Sequence, residues 1–482
     1  MQSAVSVREI PRGADWLRIV GGLRGRAGFW WLDSALVDAR LGRFSFAGAE
    51  PWCVLRSGGA RSECEVTRAV RGEAPLGRRA GFGDPLAALR VLLPAPPAEA
   101  ARLPVPFAGG APVALGYELG AALEPVAVAA AVDLALPDLS AFGVDRLYAF
   151  DHVEERGFAL AWAEDADATA ATRRAEEAAR ALVESLPDGE PPPAPGLARG
   201  APLVERGFDC ESHGKTVERI REGIAAGDLY QACLTHRLAL PFAGDGWALA
   251  GALRARNPAP FACLLELPDA TVVGSSPERF LHVAPDGWLE SRPIKGTRAR
   301  GKDRAADRQQ RAALAASAKD RAENLMIVDL VRNDLGRVCE VGSVHVPELF
   351  AIEPYATVFQ LVSTVRGRLA PGRSALDAVG AAFPPGSMTG APKLAAMDLL
   401  ARLEPVRRGL YAGAIGYLDL RGGADLAVTI RTALLRQGRA YVHTGGGIVA
   451  DSEPVAEWAE AEDKARALLV ALAEASVSVR HA

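Results

Sequence analysis

Over residues 1–163 the apolar residues come in short runs bounded by glycine and other turn formers, the pattern of β-strands. Stretches 28–34, 42–48, 112–118 and 144–153 are the clearest, and the first two are rich in aromatic side chains. Residues 164–186 change character: Ala, Arg and Glu dominate, which predicts a helix facing solvent. The Pro-rich run 187–195 that follows cannot build a core and predicts a linker. The expected organisation is an N-terminal domain over 1–163, a helix and linker over 164–205, and a second domain over 206–476.

The second part opens with a predicted helix at 211–226, where Val217, Ile220 and Ile224 stand at helical spacing and Gly227 stops it. Residues 230–240 alternate as a strand does. His236 shares the apolar face with Ala232, Leu234 and Leu238, so it reads as a satisfied core histidine. Strands are predicted at 257–267 and 270–274, followed by a turn at 275–279. Residues 411–420, 427–435 and 440–444 read as three more, with tight turns between them. Short connections make antiparallel neighbours, so the fold class is α+β, with antiparallel sheets and helices packed outside. No internal repeat is visible.

Composition changes this picture little. The chain has 482 residues, 49% hydrophobic and 24% charged, as in ordinary globular proteins. Its net charge of −4 gives no reason to expect nucleic acid or a membrane surface as partner. The six cysteines (53, 64, 210, 233, 263, 339) form no C-x-x-C pair, which argues against a zinc site or a disulfide framework. The first residues show no secretory pattern, and no apolar run is long enough to span a bilayer. The expectation is a cytoplasmic protein.

Candidate chemistry centres on residues 291–301. Lys295 lies between Pro293-Ile294, which favour extended backbone, and Gly296, which permits a turn or a close approach. A lysine held at a strand end over a cleft is a nucleophile if desolvated; the plain alternative is a surface lysine in a basic turn. In the C-terminal helix Glu457, Glu460 and Lys464 fall within an arc of about 60°. Two carboxylates one turn apart are half of a hard-cation site, or else a solvated face. Glu323, at the start of a second helix with an apolar stretch at 325–328, supplies a third. For Asp329 and Asp334 of that helix an ion-pair network with Arg332 is the simpler reading. Anion-binding features follow in the loop 383–393, with Pro392 at the predicted first position of a helix, and in the glycines 445–447 at a strand end. Arg431, read as mid-strand, suits a bidentate clamp on a carboxylate. Asp33 and Ser34 end an N-terminal strand, where a structural role is the simpler reading.

Taken together, Pro293–Arg298, Glu323–Asp334, Gly386–Lys393, Tyr411–Tyr417, Ile430–Thr432 and Gly445–Val449 resemble the chorismate-utilising enzymes. The resemblance runs in order over about 208–475, and residues 32–34 and 43–51 resemble the amino-terminal domain of the same family. It implies an anthranilate synthase component I-like sandwich of two subdomains. It also implies that Glu323, Glu457 and Glu460 hold Mg²⁺, which grips the ring carboxylate of chorismate. Arg431, Tyr411 and the Gly447 amide would meet the enolpyruvyl carboxylate, and Gly446 lies in the same glycine run. Ser387, Thr389 and Lys464 would line the pocket, with Gly296 and Thr297 beside the lysine. Glu278 matches the acid that protonates the departing C4 hydroxyl. Lys295 itself matches the aminodeoxychorismate synthase branch, where lysine attacks C2; anthranilate synthases usually carry Ala there. Gln231 agrees, because water-adding members resemble one another in a lysine at that position. Gln360 departs from a frequent family histidine. Asp33 and Ser34 keep part of a motif that binds tryptophan in some members. No cysteine sits in a Gly-x-Cys-x-Gly elbow, so ammonia is expected from a separate glutamine amidotransferase subunit.

Overall fold

The computed structural model describes residues 1–70, 77–93, 103–129, 132–196, 203–355 and 358–478, so part of the expected linker, 197–202, lies outside the described residues. Two twelve-stranded sheets form the frame. All their pairings are antiparallel, as the short connections predict. Trp30, Phe46 and Leu265 from one sheet and Val113, Leu281 and Leu426 from the other are buried in one hydrophobic core between them. Alternation explains this: each strand sends every second side chain inward.

Both sheets run through the expected domain boundary. Trp30–Asp33 pairs with Phe261–Glu266 in the first sheet, and Gly110–Leu115 pairs with Ala414–Asp419 in the second. The outer face of the first sheet is covered by helices Trp16–Leu23, Gly246–Arg256 and Pro454–Ser478, whose apolar sides form a second core. The expected helix at 164–186 is Ala168–Glu184; Ala171, Ala175 and Ala179 are its buried stripe. The Pro-rich run behaves differently from a free linker. Gly189 donates its N–H to Arg18 O at 3.0 Å, Asp188 pairs with Arg18 at 2.7 Å, and Gly251 lets the backbone of Pro193 press on a helix. It is a strap laid over two helices.

Two predicted connections are corrected. Residues 275–279 do not form a turn between neighbours: Thr271–Ser276 lies in the first sheet and Arg279–Val283 in the second. Likewise the continuous strand expected at 427–435 is two strands, Ala424–Val428 and Thr432–Arg436, one in each sheet. Arg431 therefore sits in a crossover, with a left-handed φ of 53°, and not in mid-strand. Such φ values are uncommon for a side chain of this size and point to a position fixed by its surroundings.

Candidate active site

The two crossovers lie side by side and brace each other. Ser276 Oγ donates to Val428 O at 2.6 Å, Val428 N–H donates to Glu278 O at 2.9 Å, and Ser275 N–H donates to Arg431 O at 3.1 Å. Where the chain leaves one sheet for the other it presents Glu278 and Arg431 from adjacent loops. Glu278 is 5% exposed, and the Ile294 N–H points at its Oε1 from 3.4 Å. Burial pushes its carboxyl up to about 7, against smaller opposing effects of a Ser387 hydrogen bond and the Lys295 charge.

Lys295 is aimed by a break in pairing. Strand Ile294–Ala299 loses register against Val358–Arg368 between Ile294 and Thr297, which frees Lys295 and Gly296 from the ladder. Gly296 has φ +86°, and a Cβ there would stand 2.8 Å from Asp320 Cβ. Only glycine lets helix Ala318–Gly336 come this close. Asp320 in turn pairs with Arg298 at 2.8 Å.

The floor is the glycine run of strand Arg439–Ile448. A Cβ on Gly447 would lie 2.5 Å from Gln231 Nε2 and 3.1 Å from Lys295 Nζ. A Cβ on Gly446 would lie 3.2 Å from Glu457 Oε2, 3.6 Å from Lys464 Nζ and 3.8 Å from Glu460 Oε1. The two missing side chains leave a cradle rimmed by amide, ammonium and carboxylate groups. Gln231 is fully buried, and among the described residues both its amide atoms lack a protein partner, so they can meet a ligand.

Helices Ala318–Gly336 and Pro454–Ser478 bring the carboxylates in. Glu457 is held by Ser452 Oγ at 2.7 Å, and Glu460 by Lys464 at 2.6 Å. Lys319 reaches Glu457 at 3.7 Å and Glu323 at 3.9 Å. Desolvation raises Glu323, whereas the Lys464 ammonium lowers Glu460. Among the described residues no three ligand side chains yet close around one point. Glu457 and Glu460 face the cradle, and Glu323 lies within electrostatic reach of Glu460 and Lys295; carboxylates are the donors a hard cation takes. Lys319 is half exposed and can swing out to water.

Other expected residues take distinct positions. Arg431 donates to Lys464 O, and desolvation pulls its pKa down. Tyr411 stacks on His443 at 5.0 Å between centroids, and burial pushes its phenol upward. Ser387 is buried beside Glu278. Thr389 turns its hydroxyl inward to Gly386 O at 3.2 Å, and Thr297 is exposed. Asp33 and Ser34 are not here. They line a separate cavity of about 330 Å³, where Asp33 pairs with Arg254 and accepts from Ser45 Oγ at 2.9 Å.

Several residues went unread in the sequence. Lys319 is four residues before Glu323, a spacing shared with countless surface pairs. Arg408 ties Met388 O at 2.7 Å to Cys233 O at 2.8 Å, joining the Ser387 turn to the Gln231 strand; nothing local marks it. Of the two aspartates assigned to Arg332, Asp329 does pair with it at 2.8 Å, but Asp334 pairs with Lys393 instead. Helix Ala318–Gly336 also leaves Leu325 44% exposed, so it is buried on one face only. Helix Lys393–Leu403 starts one residue later than predicted, with Pro392 at its cap.

The family model for chorismate binding enzymes matches residues 75–470. A Streptomyces pristinaespiralis protein named aminodeoxychorismate synthase is 44% identical over 458 residues, covering 92% of this chain and 62% of that one. The chain thus spans under two thirds of that relative. Anthranilate synthase component 1 of Mycobacterium tuberculosis (strain ATCC 25618 / H37Rv) is 40% identical over 469 residues, 93% of this chain and 88% of its own. The crystal structure of anthranilate synthase component I from Streptococcus pneumoniae TIGR4 superposes with a TM-score of 0.73 at 29% identity, over 90% of this chain and 94% of that one. The chain belongs to the chorismate binding enzyme family.

Proposed function

We propose that the protein aminates chorismate at C4 with ammonia, giving 4-amino-4-deoxychorismate through a covalent bond to Lys295. The observation that carries this reading is the position of Lys295. Its Nζ reaches toward Gly447 beside the unpartnered amide of Gln231, and its charge is felt by the buried acid Glu278. In the first step Lys295 gives up a proton to solvent and its Nζ bonds to C2, the ring double bond shifts, and the C4 hydroxyl leaves as water with the Glu278 proton. In the second, ammonia bonds to C4, the double bond returns, and Lys295 departs from C2. One difficult substitution becomes two easier ones.

Arg431, Tyr411 and the Gly447 amide would hold the enolpyruvyl carboxylate, with Ser387, Thr389, Lys464, Gln231, Gly296 and Thr297 around the ring. Glu323, Glu457 and Glu460 would hold Mg²⁺, which neutralises the ring carboxylate when bound. Ammonia would come from a separate glutamine amidotransferase subunit, and the product would serve 4-aminobenzoate and folate synthesis. The Asp33–Ser34 cavity would take tryptophan, as structural ligand or regulator.

One observation favours a second reading, anthranilate formation by C2 amination and pyruvate loss: the Mycobacterium tuberculosis relative is nearly as similar and better covered. Product analysis decides. Chorismate, Mg²⁺ and ammonium are incubated with wild type and with Lys295→Ala, and products are read by mass and fluorescence. Aminodeoxychorismate that is lost or severely slowed in the variant supports the proposal; anthranilate from wild type overturns it.

A further inference from the structure

The proposed chemistry leaves one buried charged cluster unused. Arg408 is 3% exposed, and its guanidinium is engaged on every side. It donates to Met388 O at 2.7 Å, to Cys233 O at 2.8 Å, and to the two oxygens of Glu404 at 2.7 and 2.8 Å. The ring of Tyr117 lies against its plane, with the guanidinium carbon 4.3 Å from the centroid. The backbone N–H groups of Arg408 and Gly409 donate to the Glu118 carboxylate at 2.8 and 3.0 Å. Tyr117 and Glu118 come from the N-terminal half, so the cluster also joins the two parts of the chain.

Backbone hydrogen bonding explains its place. The short strand Gly390–Ala391 pairs with Gln231 and Ala232 along one edge of strand Gln231–Pro241. That pairing ends where Cys233 N–H donates to Thr389 O at 2.8 Å, next to the turn Gly386–Met388. In an antiparallel ladder the N–H and C=O of one residue point to the same edge, as do those of the residue two along. Cys233 O and Thr235 N–H are thus left without a strand. Arg408 donates to the first, and Glu404 accepts from the second at 2.9 Å. The ion pair stands in for a strand that the chain does not supply. Across its other edge Cys233 stands opposite Gly447 of the cradle. Through Met388 O the same guanidinium anchors the turn that carries Ser387, whose hydroxyl supports the Glu278 charge. A planar fork makes these bonds at once, and an ammonium does not.

We infer that Arg408 is a positioning residue for the first chemical step: seated on Glu404, Tyr117 and Glu118, it holds Ser387 against Glu278 and keeps Gln231 in register with the glycine cradle. The inference rests on the amination reading above. Arg408 acts through these residues and not on the substrate. Because Tyr117 and Glu118 form two sides of its seat, the N-terminal half takes part in the chemistry.

The test follows formation of the Lys295 adduct without ammonia, by intact mass, across pH in the full chain. The readout is the limb that Glu278→Gln removes. Lys295 is the charged group that acts on Glu278, and it is unchanged in every variant compared. Arg408→Lys keeps the charge and loses the fork, and Ser387→Ala removes the hydroxyl; thermal melts establish that each is folded. The Ser387 hydrogen bond lowers Glu278, so its loss moves the limb to higher pH. Arg408→Lys should move the limb the same way and slow the step about tenfold or more. The double variant should move it no further than Ser387→Ala alone. A limb that stays at its wild-type position, whatever the rate, or shifts that add in the double variant, would make Arg408 a structural residue only. If Arg408→Lys does not fold, Glu404→Gln, which keeps an acceptor for Thr235 and loosens the guanidinium, decides by the same shift. If wild type forms neither adduct nor aminated product, the amination reading fails, and this inference with it.

Discussion

Glu278 shows how burial sets chemistry at a single residue. Against the support of one hydroxyl, the Lys295 charge and one backbone N–H, desolvation wins, and the carboxyl is raised to about 7. It therefore carries a proton through most of the acid range and yields it near neutrality, as a general acid must. The rate of the first step should fall as pH rises through about 7, a limb that Glu278→Gln removes along with about 10²–10⁴ of kcat. Stability has the same sign. The folded value lies above the ordinary 4.5, so the favourable contribution is complete below 4.5 and fades as pH climbs to about 7. Thermal melts across that range should flatten in Glu278→Gln. Gly447 makes the complementary case: Gly447→Ala would drive a methyl into Gln231 Nε2 at 2.5 Å and crowd Lys295. Turnover should collapse while the melting temperature moves little, since the methyl enters a cradle and not the core. Activity surviving at wild-type level would mean the cradle is not where substrate lies. Lys295 stood out because Pro293 and Gly296 flank it, the glutamates because of their helical spacing, and Glu278 only through the family resemblance. His236 was half legible. It is buried as expected, but among the described residues neither ring nitrogen has a protein partner, and desolvation pulls it to about 4. Apolar alternation foretells burial and says nothing of hydrogen bonds.

At the scale of elements, the site is an agreement between two helices and two crossovers. Helix Pro454–Ser478 was readable through Trp458, Ala461, Ala465, Leu468 and Leu472 at helical spacing; the last four are buried, and Trp458 is only partly so. The crossovers were not. Val428 to Thr432 is β-branched or extended in preference throughout, so sequence continues the strand, and only the pairing partners reveal that the chain changes sheets. The helix pair makes its own prediction. Lys319 stands between Glu323 and Glu457 as an internal countercharge, in competition with any metal that those carboxylates take. Lys319→Met should lower the stability of the metal-free protein, because it leaves like charges facing each other. It should also tighten Mg²⁺ binding severalfold in calorimetry, and chelation should silence both proteins. Weaker Mg²⁺ binding in the variant would place the ion elsewhere.

The whole molecule is where the expected boundary and the observed packing part company. A Pro-rich run usually separates domains, and composition alone offers no reason to doubt it at 187–195. The structure instead threads both parts of the chain through both sheets, so that residues before 164 and after 206 share the core between them. Removing the first 205 residues would strip the partner strand from Phe261–Glu266 and from Ala414–Asp419. It would also bare the apolar faces that meet Trp30, Phe46 and Val113. Exposed edges and an opened sandwich favour aggregation over an independent fold. A fragment of 206–482 should therefore lack a cooperative melt and make no product from chorismate, Mg²⁺ and ammonium. Co-expression with 1–205 should restore both, since the cut falls between Glu205 and Arg206, a two-residue strand at the edge of the first sheet, and leaves the inner strands whole. The intact chain should unfold in one denaturant transition, seen alike by the fluorescence of its eight tryptophans, Trp30 and Trp31 of the buried strand among them, and by circular dichroism. Two separated transitions, or an active fragment, would show that the catalytic residues need only their own half of the sequence.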